Sequence, residues 1–164
     1  MNATPTESGA TRASLISSLL APALALTGCA GRTGEVVTVT LLATAINAGQ
    51  IGRAFLVPRG ASTDVNVEVS GVPPLFTSRP VHLYTFLYQG RCDALPPKPV
   101  HALTERVLAQ SPRTPGALPL GGPFTVSNTI PLPLDAVLDA NYAIVIRTSP
   151  ADGGVQLFCG AVKT

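Results

Sequence analysis

The sequence predicts an all-β protein: a Greek-key β-sandwich of about seven to eight strands, with one long loop rich in proline and glycine and at most short helices. Composition is the first observation behind this prediction, since 16 prolines and 15 glycines accompany a hydrophobic content of 46% in a chain of 164 residues. Many turn formers together with enough apolar residues for a core favour a β domain over a disordered chain. The second observation is a set of short segments in which apolar and polar residues alternate.

Seven segments carry this strand pattern, and glycine, proline or asparagine separates most of them. The predicted strands are 36–43, 50–57, 64–70, 81–88, 124–130, 142–148 and 155–162. In the clearest of them, 64–70, three valines at every second position point one way and polar residues the other. In 81–88 one side consists of His82, Tyr84, Phe86 and Tyr88, which we call the aromatic face.

The long loop covers residues 93–123, where prolines and glycines are concentrated. Within it, Val100 to Gln110 is predicted to form a short helix, because three of its apolar residues follow one another at helical spacing. A second short helix is predicted over 136–139, with Asp135 as its N-cap. A loop of this length in a compact domain is often functional or mobile.

Residues 1–28 are predicted to be a lipoprotein signal peptide. The apolar run from Ala13 to Leu26 has about 14 residues and is too short for a hydrocarbon core, which takes ~20 helical residues. It matches the apolar region of a secretory signal. The tetrad Leu26-Thr27-Gly28-Cys29 follows directly and resembles the bacterial lipobox, in which small residues precede a cysteine that receives a diacylglycerol before cleavage.

On this interpretation Cys29 becomes the lipidated N-terminus, residues 29–35 form a short tether and 36–164 form the β-sandwich domain. Two or three acyl chains anchor a protein firmly, since each buried CH₂ contributes about 0.8 kcal/mol. Ala30 follows the cysteine directly. In the lipoproteins of enteric-type bacteria that this segment resembles, a residue other than aspartate at that position goes with sorting to the outer membrane. The expected location is the bacterial cell envelope, anchored to the outer membrane and facing the periplasm or the outside.

A net charge of +2 with scattered basic residues argues against a nucleic-acid partner.

Cys92 and Cys159 are left to pair once Cys29 carries lipid. Export would place them in an oxidising compartment, where two cysteines normally form a disulfide. Two free thiols or a metal pair are the alternatives, although neither cysteine lies in a Cys-x-x-Cys motif or beside a histidine cluster. In the last predicted strand, Cys159 shares with Val155 and Leu157 the side that is expected to face the core.

Three stretches together resemble the copper/zinc superoxide dismutase-like and chordin-like β-sandwich. Residues 52–71, which continue as Val72-Pro73-Pro74, resemble the early hairpin of those domains. Val81-His82-Leu83-Tyr84, followed by Cys92, lies where the dismutases carry a His-x-His strand and the first disulfide cysteine. The stretch from Leu157 to Val162 is similar to their closing strand with the second cysteine. The resemblance implies an immunoglobulin-like or superoxide dismutase-like sandwich stapled by Cys92 and Cys159.

The metal ligands of that family are missing. A copper/zinc dismutase holds its metals with a cluster of histidines and an aspartate, whereas this chain has 2 histidines in total. His82 matches the first histidine of the strand motif, but Tyr84 stands where the second would be. At most one ligand carries over, and one ligand does not hold copper. The resemblance therefore implies the fold without metal chemistry, and we expect no cofactor.

Catalytic motifs are also missing from the sequence, which contains no GxSxG, HExxH or phosphate-binding glycine motif, and we expect no enzyme. The expected function is a membrane-anchored, non-catalytic interaction or structural module that meets an envelope or host protein through the aromatic face or the 93–123 loop. The alternative is an accessory protein that binds a small ligand or metal with His82 and the aromatic residues. The third interpretation is a hydrolase hidden in the long loop 93–123, and a Ser/His/Asp set could in principle include His82 or His101. His101 and Glu105, one turn apart on the predicted helix, are too few for a metal site.

Overall fold

Eight antiparallel strands form one sheet in the computed structural model, which describes residues 34–111 and 122–163. The strands are β1 (Val37–Ala43), β2 (Gly52–Arg59), β3 (Ser62–Val69), β4 (Tyr84–Gln89), β5 (His101–Leu103), β6 (Phe124–Ile130), β7 (Tyr142–Arg147) and β8 (Gln156–Ala161). Their order across the sheet is β5-β4-β7-β8-β1-β2-β3-β6. Helix α1 (Leu134–Asp139) precedes β7, and short 3-10 turns occupy Ala45–Asn47, Pro74–Phe76 and Pro150–Asp152. The predicted all-β class is confirmed.

The sheet folds back on itself until its two edges nearly meet. Segment 106–110 lies between them, and its backbone pairs with residues 81–83 on one side at N···O distances of 2.8 and 2.9 Å. On the other side Gln110 and Thr125 of β6 exchange two backbone hydrogen bonds of 2.8 Å. The result is a nearly closed, barrel-like sheet in which β1 pairs with β2 on one side and with β8 on the other.

The main core lies between the layer of β1, β2, β3 and β6 and the layer of β4, β7 and β8. Its fully buried side chains include Leu56, Val65, Leu87, Ile144 and Phe158. The alternation predicted for 64–70 is present, since the valines of β3 are buried and Glu68 is exposed. Burial of apolar side chains from both layers is what holds the two halves of the sheet together.

The helix predicted over Val100 to Gln110 is wrong. Residues His101–Leu103 form β5, which pairs with β4, and the backbone of the following residues is extended between β4 and β6. Backbone pairing satisfies hydrogen-bonding groups of this segment and of two sheet edges at once, and it overrides the helical spacing of the apolar residues. His101 and Glu105 are therefore not neighbours on a helix face.

Smaller differences concern the ends of elements. Helix α1 begins at Leu134 with Pro133 at its N-cap, so Asp135 lies in the first turn rather than at the cap. The strand predicted over 81–88 begins only at Tyr84, because residues 81–83 pair with the segment after β5 instead. The signal peptide, Cys29 and residues 112–121 of the predicted loop lie outside the described residues. Among the described residues, no helix has the length and apolarity needed to cross a membrane.

Candidate functional site

The aromatic face lies on the outer side of the sheet. Leu83, Thr85 and Leu87 are fully buried, and neighbouring residues of a strand point to opposite sides. Tyr84, Phe86 and Tyr88 therefore share the other side, as predicted from the alternation, and this side points away from the main core. Tyr84 and Phe86 are half-buried, whereas Tyr88 is only 4% exposed. Something other than the main core must cover Tyr88.

The cover is a second, smaller apolar cluster on the outer side of β4, β7 and β8. It consists of Tyr88, Ala143, Val145 and Cys159, with Phe86, Cys92 and Leu95 packed against it. The register explains the grouping, because Phe86 stands opposite Val145 and Val145 stands opposite Cys159. Strand β7 thus buries side chains on both of its faces.

Cys92 and Cys159 form a disulfide with an S–S distance of 2.07 Å and a Cα–Cα distance of 5.8 Å. The bond holds the turn after β4 over the outer cluster. The expectation that Cys159 faces the main core with Leu157 is wrong, because Leu157 and Phe158 both belong to the main core and Cys159 to the outer cluster. The pairing of β7 with β8 shifts register at Ile146, so strict alternation does not hold along this part of β8.

Arg147, the last residue of β7, lies opposite Tyr84 and joins the aromatic face. Its guanidinium carbon is 6.0 Å from the ring centroid of Phe86 and 5.8 Å from that of Tyr88. The two rings are themselves 6.4 Å apart at an angle of 59°. A cation at this distance from ring faces is attracted by their quadrupoles. The Nε atom of Arg147 is buried and has no hydrogen-bond partner among the described residues.

A cleft of about 340 Å³ opens beside Arg147. Its walls are Tyr84 and Phe86 of β4, Arg147 itself, and the β7–β8 connection through Thr148, Pro150, Gly153 and Gly154. Internal hydrogen bonds hold this connection in place. Ser149 Oγ accepts from the Asp152 backbone N–H at 3.1 Å, and Thr148 Oγ1 accepts from the Val155 N–H at 2.8 Å. The cleft is therefore built on two strands and a hydrogen-bonded loop.

His82 does not line this cleft, although the sequence placed it on the aromatic face. It lies in the region of Asp152, whose pKa is lowered chiefly by the hydrogen bond from Ser149 Oγ at 2.7 Å, then by those from Ser78, and least by the charge of His82. Burial acts on this pKa in the opposite direction. The carboxylate is thus held mainly by two serines.

A serine, a histidine and an aspartate are near one another here, but not in the order that nucleophilic catalysis needs. In a catalytic triad the serine donates to the histidine and the histidine donates to the aspartate. Ser149 instead donates directly to Asp152, and no side-chain hydrogen bond of His82 is found in the described part of the chain. Within residues 34–111 and 122–163, no group of three or more His, Cys, Asp or Glu side chains could hold a metal.

Sequence reasoning identified the aromatic residues of the site but missed Arg147. The available signal was Arg147 itself, a charged residue near the end of the otherwise apolar predicted strand 142–148. It joins the aromatic face only if that strand pairs with 81–88. Pairing between strands so far apart in the chain is not readable from alternation alone. No protein-family model, curated protein or solved structure shows significant similarity to this chain.

Proposed function

We propose that this chain is the precursor of a bacterial envelope lipoprotein whose β domain is a tethered, non-catalytic binding module. The observation that carries the proposal is the tetrad Leu26-Thr27-Gly28-Cys29 directly after the apolar run 13–26. Lipid attached to the Cys29 thiol would anchor the domain at the membrane surface. The binding partner would be an envelope or host protein, met through the aromatic face.

The position of the cleft supports this arrangement. Strand β1 begins at Val37, beside Leu56, and ends at Ala43, beside Phe158. Gln156, two residues before Phe158, stands opposite Arg147. At about 3.3 Å per residue the cleft lies roughly 25 Å along the strands from the start of β1. If the tether joins the domain at the start of β1, the cleft lies at the end of the domain that is farther from the membrane.

Labelling with radioactive palmitate in a bacterial host tests the anchor. The wild-type chain should incorporate label and its N-terminal peptide should begin at Cys29 with the mass of added diacylglycerol. Cys29→Ser should incorporate none and should leave the membrane fraction. Ser17→Ala, a change in the same leader that leaves the tetrad intact, is the matched control. An unlabelled wild-type chain would contradict the lipoprotein proposal.

The role of the aromatic face is tested by photocrosslinking in living cells. A photoreactive side chain at Tyr84, which is half-buried beside the cleft, should yield an adduct with one partner. The same group at Arg53, an exposed position of β2, is the control and should yield none. Equal adducts at both positions, or none at Tyr84, would contradict a binding role for this face.

The second candidate function is a small-ligand accessory protein, and the cleft beside Arg147 is the observation that favours it. Its volume of about 340 Å³ is at the small end of the range for ligand pockets, roughly 300–1,000 Å³. The metal-binding form of this alternative has less support, because His82 stands apart from the cleft and the Asp152 carboxylate is engaged by Ser78 and Ser149.

A further inference from the structure

We propose that the cleft beside Arg147 binds a small organic anion: a carboxylate attached to a flat, apolar body. Arg147 binds the carboxylate, and Tyr84 and Phe86 contact the apolar body. The inference rests on the second candidate function, the small-ligand accessory protein, and adds the chemical class of its ligand. It does not depend on the lipid anchor at Cys29.

Among residues 34–111 and 122–163, no acidic side chain is found in an ion pair with Arg147. The ion pairs Arg59–Asp64 and Arg91–Asp93 involve neither Arg147 nor another residue that lines the cleft. The acidic residue of the neighbouring connection, Asp152, directs its carboxylate to the Ser78 N–H and hydroxyl and to the Ser149 hydroxyl, at 3.1, 3.0 and 2.7 Å. A cation therefore faces a cleft without an anion of the protein, which leaves it available to an anion from outside.

The guanidinium of Arg147 is also held in place before any ligand arrives. The rings of Phe86 and Tyr88 lie near it, and its Nε atom is shielded from water without a compensating hydrogen bond. Electrostatic attraction is stronger in such a poorly solvated setting than in water. A guanidinium is planar and pairs with the two oxygens of a carboxylate in a fork geometry. Because the two rings and the burial of Nε restrict the Arg147 side chain, binding costs less side-chain entropy than it would for a free arginine.

The remaining walls select the body of the ligand. Tyr84, Phe86 and Pro150 present rings, and Gly153 and Gly154 add no side chains to the lining. Gly153 has a φ of +86°, a conformation that favours glycine, and a Cβ built on Gly154 would meet nothing within 4 Å. A cavity of about 150 Å³ holds a benzene molecule, so a cleft of about 340 Å³ has room for one ring and its carboxylate.

Calorimetric titration of the purified full-length chain, with its disulfide intact, tests the ligand class with four probes. Benzoate combines a ring with a negative charge, acetate has the charge alone, benzyl alcohol has the ring alone, and benzylammonium reverses the charge. Benzoate should bind at least about tenfold more tightly than acetate or benzyl alcohol, and benzylammonium should not bind. Tenfold corresponds to one charge-assisted hydrogen bond. Absence of saturable binding at millimolar benzoate would overturn the proposal.

Variants of Arg147 separate a ligand-binding role from a merely structural one. Arg147→Gln should weaken benzoate binding at least about tenfold and remove its advantage over benzyl alcohol. Tyr84→Ala should weaken both ring probes while keeping the preference for benzoate, and it provides the test if Arg147→Gln does not fold. Arg53→Gln, at an exposed arginine on the other layer, should bind as the wild type does. Equal benzoate affinity in wild type and Arg147→Gln would overturn the proposal.

The two proposals fail in distinguishable ways. A chain that binds benzoate through Arg147 but carries no lipid on Cys29 contradicts the anchor and supports the ligand class. A lipidated chain that photocrosslinks to a protein at Tyr84 but does not bind benzoate overturns the proposed ligand class. That result still supports the tethered binding module.

Discussion

Asn128 is a polar residue at a core-facing position of β6, between Val126 and Ile130, and it is 6% exposed. Both of its side-chain polar atoms are used. Its Oδ1 accepts from the Arg106 backbone N–H at 3.1 Å, and its Nδ2 donates to the Arg106 carbonyl oxygen at 2.9 Å. The Asn128 side chain thus makes the two hydrogen bonds that the backbone of a neighbouring strand would otherwise make to Arg106. It holds the segment 106–110 against β6.

Asn128→Ala should lower the free energy of unfolding by about 1–3 kcal/mol, because it removes two hydrogen bonds and leaves their backbone partners at the seam of the sheet. Urea denaturation monitored by circular dichroism measures the change. Ser127→Ala, on the opposite side of the same strand, is the matched control and should stay within about 0.5 kcal/mol of wild type. A loss as small as that of the control would show that the seam does not depend on Asn128.

Asp152 illustrates how hydrogen bonds set a local pKa. The Ser149 hydroxyl makes the largest contribution to the lowered pKa of this carboxyl group, ahead of the opposing effect of burial and the contacts from Ser78. Because the folded-state pKa lies below the unfolded value, the stabilisation is present above the unfolded pKa and is lost as the pH falls through the folded pKa.

Ser149→Ala should therefore raise the pKa of Asp152 toward its ordinary value of 3.8, so that the stabilisation is lost at a higher pH than in wild type. A pH titration of the Asp152 carboxyl carbon by NMR reads the midpoint directly. Ser78→Ala should raise the pKa by a smaller amount, since the Ser78 hydroxyl contributes less. Identical midpoints in wild type and Ser149→Ala would contradict this account.

The strands show where alternation suffices for prediction and where it fails. β3 was readable because it buries one face and leaves the other partly exposed, so the period of two is visible in the residues. β4 follows the same period, except that Tyr88 on its outer face is buried as well. β5 was not readable, because it has three residues and lies in a segment whose apolar spacing fits a helix. Its conformation is decided by hydrogen bonds to β4, which no local pattern records.

Close approach of β8 to β1 requires a glycine. A Cβ built on Gly160 would overlap the carbonyl oxygen of Thr40 and come within 2.7 Å of Leu41 Cδ2. Gly160→Ala should therefore cost about 1–3 kcal/mol of unfolding free energy, since the two strands must separate to admit one methyl group. Chemical denaturation provides the measurement. Ala161→Ser, the adjacent residue with one added atom, should change stability by less than about 0.5 kcal/mol; an equal loss in both variants would argue against the steric explanation.

At the scale of the molecule, β7 separates two apolar clusters of the described residues: the main core inside the barrel and the outer cluster around Tyr88. Composition and alternation predicted one core, and the aromatic face was assigned as a surface. The outer cluster was not predicted, because it forms only when β4, β7 and β8 pair and the turn at Cys92 folds over them. The cleft at Arg147 borders this cluster, because Phe86 packs against the cluster and also lines the cleft.

Reduction of the disulfide tests this arrangement of the whole molecule. The bond closes a loop of 67 residues, for which the chain-entropy estimate is about 4 kcal/mol of stability. We expect the unfolding free energy to fall by up to that amount in the presence of reductant. Hydrogen exchange should rise first in the turn that covers the outer cluster, around Cys92 and Leu95, because its side-chain contacts to that cluster depend on the bond.

A double variant, Cys92→Ser with Cys159→Ala, is the control, since reductant should leave its stability unchanged and it should resemble the reduced wild type. Tyrosine fluorescence is the second readout. Because the turn helps to cover the ring of Tyr88, quenching of the chain's 3 tyrosines by a soluble quencher should increase after reduction. A wild-type chain whose unfolding and quenching are indifferent to reductant would contradict the stapling role of the bond. The resemblance to the dismutase-like sandwich would then lose its main support, because that resemblance depends on the same two cysteines.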